Sequence, residues 1–469
     1  MHDFDYVLVG SGPSAAAFLL SDNYKSKSSK FCILDVAFDY KKKFNQEPSK
    51  KKLYELHDIH NKTYYGDSLA TKKIPKYEFP SNLEISNSYA YGGLSNVWGG
   101  ACSHYNYDDL EMMGLKINQK YYNLVNKVLN IGQFTFPKES KMLNVYSRLK
   151  NNNNTNIYVE PSLLAVNFKK LEPNCSGLYG SSNGAIYNSR ETFMNHKGDA
   201  TISPNTLLDK IIYESSGNII LQIINTNSGE RSKIKTKKLI LGCGAINTSK
   251  LLLKSFKDIE SIHIKDSQGF KIPIIDVTLS GLLRKSHDEI ELTNFYLKTK
   301  INEFRVHGQL YFSGEYIKNQ ISKQYHIPRI FLSNLLNIIY IYQGYLPSIH
   351  SSIGKLTIRN SKFHLTTIKE YDKKFLYELI NINDYFLRKS KLFQINFMKD
   401  ISDIFSVYHF GAISLLSNDK NIELDTYDGS IAGYEDIHII DSSILKDLPS
   451  GPLTSIVMAN AVNISDKIL

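Results

Sequence analysis

Apolar and polar positions follow different periods along this chain, and the changes of period mark its parts. FDYVLVG (4–10) reads as a buried strand, PSAAAFLLSDN (13–23) as a helix and KFCILDV (30–36) as a second strand, with a glycine-rich turn after the first. Residues 37–80 are polar and lysine-rich and predict a long surface excursion. SYAYGGLSNVWGGACSH (88–104) is a second glycine-rich loop, and NQKYYNLVNKVLNIG (118–132) has helical spacing. From residue 205 the pattern gives three strands with turns at Ser216-Gly217 and Ser228-Gly229, then a glycine-rich turn and a helix. Residues 266–404 alternate apolar and polar positions in many short runs, which suits a mostly antiparallel sheet plus helices. Residues 405–469 return to compact strand–turn–helix character. No fixed-period repeat is present. The pattern predicts an α/β fold, α+β overall. Residues 1–140, 190–265 and 405–469 form a discontinuous nucleotide domain. A substrate domain is inserted at 266–404, with 141–189 as a connecting or cap segment.

Composition narrows the class. A chain of 469 residues exceeds a usual single core, so two or more domains are expected. The net charge of +10 has a bland reading, a lysine-rich solvated surface, and a sharper one, attraction to an anionic substrate or a membrane surface. Membrane-surface contact is the lesser reading. No arginine-rich stripe or RNA-binding motif points to nucleic acid. Cys32, Cys102, Cys175 and Cys243 are far apart and form no CxxC pair. Cys32 and Cys243 lie in apolar runs that suit buried reduced thiols. The chain begins with acidic residues and enters a strand at once, so no signal peptide is expected, and no run of about 20 apolar residues offers a membrane span. These features predict a cytoplasmic protein. No His/Cys/Asp/Glu grouping has metal-ligand spacing, so no metal is expected.

Gly10-Ser11-Gly12-Pro13-Ser14-Ala15 is a GxGxxA form of the dinucleotide fingerprint. The first glycine permits the tight turn and the second lets backbone approach a pyrophosphate. A small third residue lets helix pack on strand. Asp35 ends the second strand, 25 positions after Gly10 (35 − 10), where an acid meets ribose hydroxyls. In the second loop, Gly92, Gly93, Gly99 and Gly100 let the chain pass close to a planar ring, and Ser95 and Asn96 offer hydrogen bonds. Trp98 reads either as a wall of that site or as core. Gly242 and Gly244 shape a further turn, whose preceding strands offer backbone to an adenine or serve packing.

Four blocks together resemble the glucose–methanol–choline oxidoreductases, the flavoprotein family that includes cholesterol oxidase. They are DYVLVGSGPSAAAFLL, GGLSNVWGG at 92–100, KKLILGCGAINTSKLLLKS at 237–255, and the stretch from Tyr408 to Leu469. They cover a little under a quarter of the chain. Residues 256–404 carry no usable resemblance. The resemblance implies a Rossmann-like domain that binds FAD. No histidine matches a position of covalent attachment, His104 being the nearest, so the FAD is expected to be non-covalent. The segment 173–190 resembles one that is cysteine-rich in bacterial relatives, but holds Cys175 alone and implies no metal or cluster.

The resemblance also implies the chemistry. Tyr408-His409-Phe410-Gly411 matches the YH…G context of the family's catalytic histidine. A histidine suits removal of an alcohol proton because its ordinary pKa, about 6.5, is near working pH. Asp441 and Ser442 match the acidic turn that meets the flavin's chain. Pro452, Leu453 and Thr454 open the last helix, whose start faces the flavin's pyrimidine edge. His438 alternates with apolar residues and reads as structural. One position departs from the family. Where it has a second proton-handling His or Asn, this chain reads Ser450-Gly451-Pro452, with Ser450 as the local substitute. Three alternatives follow: the enzyme works with one histidine, the unmatched middle supplies a partner, or the redox activity is altered.

The reading that results is an FAD-dependent oxidoreductase. It oxidises a CH–OH group of a small alcohol, sugar or sugar conjugate, with His409 as general base and an acceptor the sequence does not choose. The alternatives are a flavin-binding protein without net alcohol oxidation and a basic surface-binding protein on a nucleotide-binding scaffold.

Overall fold

The computed structural model describes residues 2–26, 29–36, 57–58, 63–64, 87–96, 98–136, 138, 140–171, 184–214, 217–278, 292–312, 338–360, 362–396, 400–401, 410–417 and 420–469. The lysine runs at 41–43 and 50–52, Cys175 and His409 lie outside them.

The first sheet grows from the apolar runs near both ends of the chain. Its path is Thr201–Ser203, Phe31–Leu34, His2–Val9, Arg231–Leu241, Ile219–Asn225 and Thr206–Tyr213. The first four strands are parallel and the last two fold back antiparallel. Arg231–Leu241 pairs with His2–Val9 on one edge and is long enough to serve two neighbours on the other. Its first half pairs with Ile219–Asn225, and Leu239–Leu241 pairs in parallel with Ile437–Ile439. Val7, Leu8, Ile33, Leu239 and Ile240 are buried, as continuous apolar runs covered on both faces require. Helix Thr454–Ile468 is buried around nearly its whole circumference and packs on helix Pro13–Phe18. The closing segment is therefore the core of the domain that the opening segment starts.

The second sheet is antiparallel throughout. Its order is Leu392–Gln394, Gly269–Asp276, Ile339–Tyr345, Phe304–Phe312, Phe295–Ile301 and Ile157–Pro161. Segment 141–189, expected as a connection or cap, contributes helix Lys141–Lys150 and strand Ile157–Pro161 here. Helix Lys373–Lys389 covers the same face. Asp372 caps it by accepting from the Phe375 N–H (3.0 Å), and Phe375, Leu376, Leu379, Ile380, Phe386 and Leu387 form its buried stripe. Each such side chain contributes about 1.5–3 kcal/mol on burial. In Phe304–Phe312 the period of two is plain. Val306, Leu310 and Phe312 join this core, so His307, Gln309 and Tyr311 point to the other face. A third, five-stranded sheet draws Ile353–Arg359 and Lys362–Lys369, from the expected substrate domain, against Ser261–Asp266 and the first core.

Candidate functional site

The glycine turns of the first sheet meet around one cleft of about 210 Å³. Gly10 leaves its strand at φ +105°, and a Cβ there would lie 2.6 Å from the Gly242 carbonyl oxygen. No side chain fits between these turns, so the first and third sequence blocks touch by backbone. Gly12 also lines the cleft, and no atom lies within 4 Å of where its Cβ would stand. Gly244, at φ +86°, is open in the same way. Pro13 opens the short helix, and Ser11 and Ser14 line the cleft beside it. Ala15 is fully buried, and its Cβ lies 3.4 Å from the Cβ position of Gly242, so its smallness serves helix–strand packing.

Asp35 lines the cleft at the end of its strand. Its N–H donates to the Ser203 carbonyl (3.2 Å) and its carbonyl accepts from Thr206 (2.8 Å), which brings Thr206–Leu208 to the same wall. Lys250 and Lys254 come from helix Ala245–Ser255, and Lys254 pairs with Asp209. Burial lowers the Lys250 ammonium to about 7.

The second loop crosses over the first turn. Gly93 is at φ +60°, and a Cβ there would stand 3.2 Å from Gly12 Cα. Ser11 Oγ accepts from the Gly92 N–H at 3.0 Å. Ser95 and Asn96 spend their polar atoms inside the loop. Ser95 Oγ donates to Gly92 O (2.6 Å), and Asn96 Nδ2 donates to Gly93 O (2.6 Å) and Tyr91 O (3.0 Å). Ser189 and Asn188 brace them from helix Ser189–His196 and its cap. Gly99 is exposed beside Leu292 and is not part of the cleft wall. Trp98 donates to Tyr187 O (2.7 Å) and packs edge-on against that ring, at the side of the first core.

The last block divides. Ser442 lines the cleft, and Gly411 presses on it so closely that a Cβ would sit 2.5 Å from Ser442 O. Asp441 is a strut behind that wall. Its carboxylate accepts from Thr248 Oγ1 (2.6 Å), Gly244 N–H (2.9 Å), Ser443 N–H (2.9 Å) and Ser443 Oγ. Burial raises its pKa against the pull of those donors. The same burial pushes the neighbouring Cys243 thiol up to about 12, and Cys32 and Cys102 likewise. All three are free thiols. His438 is buried in the sheet with Nδ1 on Asp428 O (3.0 Å), a structural place. Leu453 caps helix Thr454–Ile468, and Pro452 O accepts from Tyr105 Oη (2.5 Å). Pro452, Leu453 and Thr454 stand apart from the 210 Å³ cleft.

A second, small cavity of about 30 Å³ lies beside Pro449 and Ser450, ahead of the last helix, and is walled also by His104, Tyr105, Asp109, Arg305 and His307. Ser450, the local substitute named from the sequence, is committed. It accepts from the His307 N–H (2.7 Å) and donates to Tyr345 O (2.5 Å). Thr206–Leu208, Lys250, Asn188 and His307 were not singled out from the sequence. The signals for two of them were present: a lysine inside the apolar run TSKLLLK, and His–Gln–Tyr alternation in FRVHGQLYF.

The cleft's features fit an adenine dinucleotide. It has two glycines open at Cβ beside a helix start, a carboxylate at the strand end, and backbone beyond it. Among the described residues no helix is long and apolar enough to cross a membrane, and no cluster of three or more His, Cys, Asp or Glu is placed to hold a metal.

No family model matches the chain, and no curated protein matches it by sequence. Solved structures do match. The crystal structure of pyridoxine 4-oxidase from Mesorbium loti superposes with a TM-score of 0.61 at 12% identity, covering 99% of this chain and 99% of that one. At that identity the likeness is one of fold, and it extends over the whole chain.

Proposed function

We propose that the protein is an FAD-dependent oxidoreductase that oxidises the CH–OH group of a small alcohol. The observation that carries this reading is the convergence of Gly10–Ser14, Asp35, Gly244 and Ser442 on one cleft, in a chain that shares an oxidase fold end to end. Asp35 and Thr206–Leu208 would hold the adenosine half, and Gly12–Ser14 the pyrophosphate. The open Cβ positions of Gly12 and Gly244 leave room for it. Ser442 would meet the flavin half, and the start of helix Thr454–Ile468 would face the ring. Asp441, Ser95 and Asn96 act by keeping those walls in place.

Bound, non-covalent FAD supplies the hydride acceptor. His409 takes the proton of the substrate hydroxyl, for which its ordinary pKa is suited. Gly411, two residues on in the sequence, is packed on Ser442 at the cleft wall. The substrate is a neutral alcohol or sugar, and the neighbour's name puts pyridoxine in the first panel to be tried. Oxygen, a quinone or a partner protein completes the cycle as electron acceptor.

The test is optical. The purified or FAD-reconstituted protein is yellow, and anaerobic pyridoxine, benzyl alcohol, choline or glucose bleaches it. FAD appears in the supernatant after acid precipitation. His409→Ala keeps the colour and slows bleaching about 10²-fold or more. Colour without bleaching favours flavin binding without alcohol oxidation, the reading that Gly451 motivates. Protein that stays colourless with added FAD favours surface binding by the +10 charge.

A further inference from the structure

We infer that His307 donates a hydrogen bond to the alcohol oxygen of the substrate, and so supplies from the second sheet the polar contact that Gly451 lacks. The inference rests on the proposed alcohol oxidation.

Gly451 is unsuited to carry a side chain there. Its φ is +147°, a conformation that residues with a Cβ rarely adopt. A Cβ would also stand 3.4 Å from Tyr105 Oη and 3.5 Å from Cβ and Cγ of His307. These are ordinary van der Waals distances, so Tyr105 and His307 are the side chains that border the position without blocking a Cβ. Tyr105 is committed, because its hydroxyl donates to Pro452 O (2.5 Å) and burial raises its pKa well above the ordinary value. Ser450 is committed between His307 and Tyr345.

His307 is held as a working group is held. It is 3% exposed, on the sheet face opposite the apolar core, and walls the small cavity beside Pro449 and Ser450. Its backbone N–H is fixed by Ser450, and its ring rests on Tyr296 with centroids 4.2 Å apart. Tyr296 is itself pinned, its hydroxyl donating to Cys102 O and Leu163 O, both at 2.8 Å. The ring is thus oriented by packing rather than by a long flexible stem, the condition for a precise contact. A neutral imidazole carries one N–H donor and one acceptor, so it can hold an alcohol oxygen whose own proton goes to a second base. The cavity's charged groups are Asp109, Lys298 and Arg305, with Lys298 paired to Glu160 at 2.5 Å. None of them stands as near to Gly451 as the imidazole does.

The experiment compares wild type, His307→Ala and His307→Asn, each loaded with FAD. Two readouts are taken: the rate of anaerobic bleaching by the alcohol panel, and FAD affinity from quenching of flavin fluorescence. His307→Ala is expected to slow bleaching about 10²-fold, as loss of one oxygen-holding donor does. His307→Asn keeps an N–H donor and is expected within about tenfold of wild type. FAD affinity is unchanged in both. Bleaching at the wild-type rate in His307→Ala, or equal rates in the two variants, overturns the inference and leaves the alcohol oxidation standing. A fall in FAD affinity that tracks the fall in rate makes His307 a packing residue and overturns it too. Wild-type protein that no alcohol bleaches ends the inference together with the reading beneath it.

Discussion

Ser21 donates a 2.5 Å hydrogen bond to the carboxylate of Asp466, across 445 positions of sequence. Tyr121 donates to the other oxygen (2.8 Å), Lys120 stands 3.6 Å away, and Asn23 reaches the Asp466 carbonyl (2.7 Å). Two remote segments, 21–23 and 120–121, are thereby tied to the end of the last helix. Asp466→Ala should lower unfolding free energy by about 1–3 kcal/mol in urea titration, the loss of hydrogen bonds to a charged group. A change below about 0.3 kcal/mol would mean that packing of the helix alone holds the ends together.

The same carboxylate gives a pH signature. Burial acts to raise its pKa, but the donors Ser21 and Tyr121 and the Lys120 charge outweigh it and hold it below the ordinary value. A group depressed in the fold adds stability above its unfolded pKa, about 3.9 for aspartate, and loses it as pH falls through the folded value. Wild type should therefore exceed Asp466→Asn at pH 6 and converge with it in acid. A gap that widens on acidification contradicts the assignment.

Gly10 and Gly12 should separate fold from ligand. Alanine at Gly10 meets the Gly242 carbonyl and a positive φ, and should cost more than about 2 kcal/mol. Alanine at Gly12 finds open space, so stability should stay within about 0.5 kcal/mol while FAD affinity falls, because the new methyl enters the cleft. Urea titration and flavin fluorescence read the two effects. The opposite assignment of effects would refute this account of the turn.

Lys250 should make stability rise with pH. Its folded pKa lies near 7 because burial disfavours the charged form. Below that value both states hold the proton. Between it and the ordinary lysine value, about 10.4, the unfolded chain holds a proton that the fold does not. Stability then climbs with pH at up to about 1.4 kcal/mol per unit. Lys250→Met should remove that slope between pH 7 and 9. In the same window FAD binding should take up protons if its phosphates recharge the amine, which calorimetry in two buffers detects.

Gly451→Ala should be strained at φ +147° and cost about 1–3 kcal/mol, with no gain in the rate of flavin bleaching. A faster variant would contradict the account of 451 as a strained position that gains nothing from a side chain.

The turn at 10–15, the acid at 35 and the strand–turn–helix at 237–255 were legible because their chemistry is local. A strand, a glycine turn and a helix are specified by adjacent residues. The antiparallel character of 266–404 was legible from its period of two, but strand order was not, because pairing depends on contacts far apart in sequence. Asp441, Ser95 and Asn96 show the limit within the site itself. Their types suit a ligand, yet their hydrogen bonds go to Thr248, Gly244, Gly92 and Gly93. Which donors a carboxylate meets is a matter of what packs against it.

The sequence alone determined that a dinucleotide turn opens the chain and that a glycine stands where a polar side chain was expected. The first follows from residue type at a fixed local spacing; the second follows from the resemblance to the glucose–methanol–choline oxidoreductases, which implies a His or Asn there. The tertiary structure decided that Gly93 lies on Gly12 and that His307, from a segment without readable resemblance, fills the space beside Gly451. The physical reason is that a close approach between remote segments is set by the combined packing of both sheets and the last helix. No local pattern of residues records that packing.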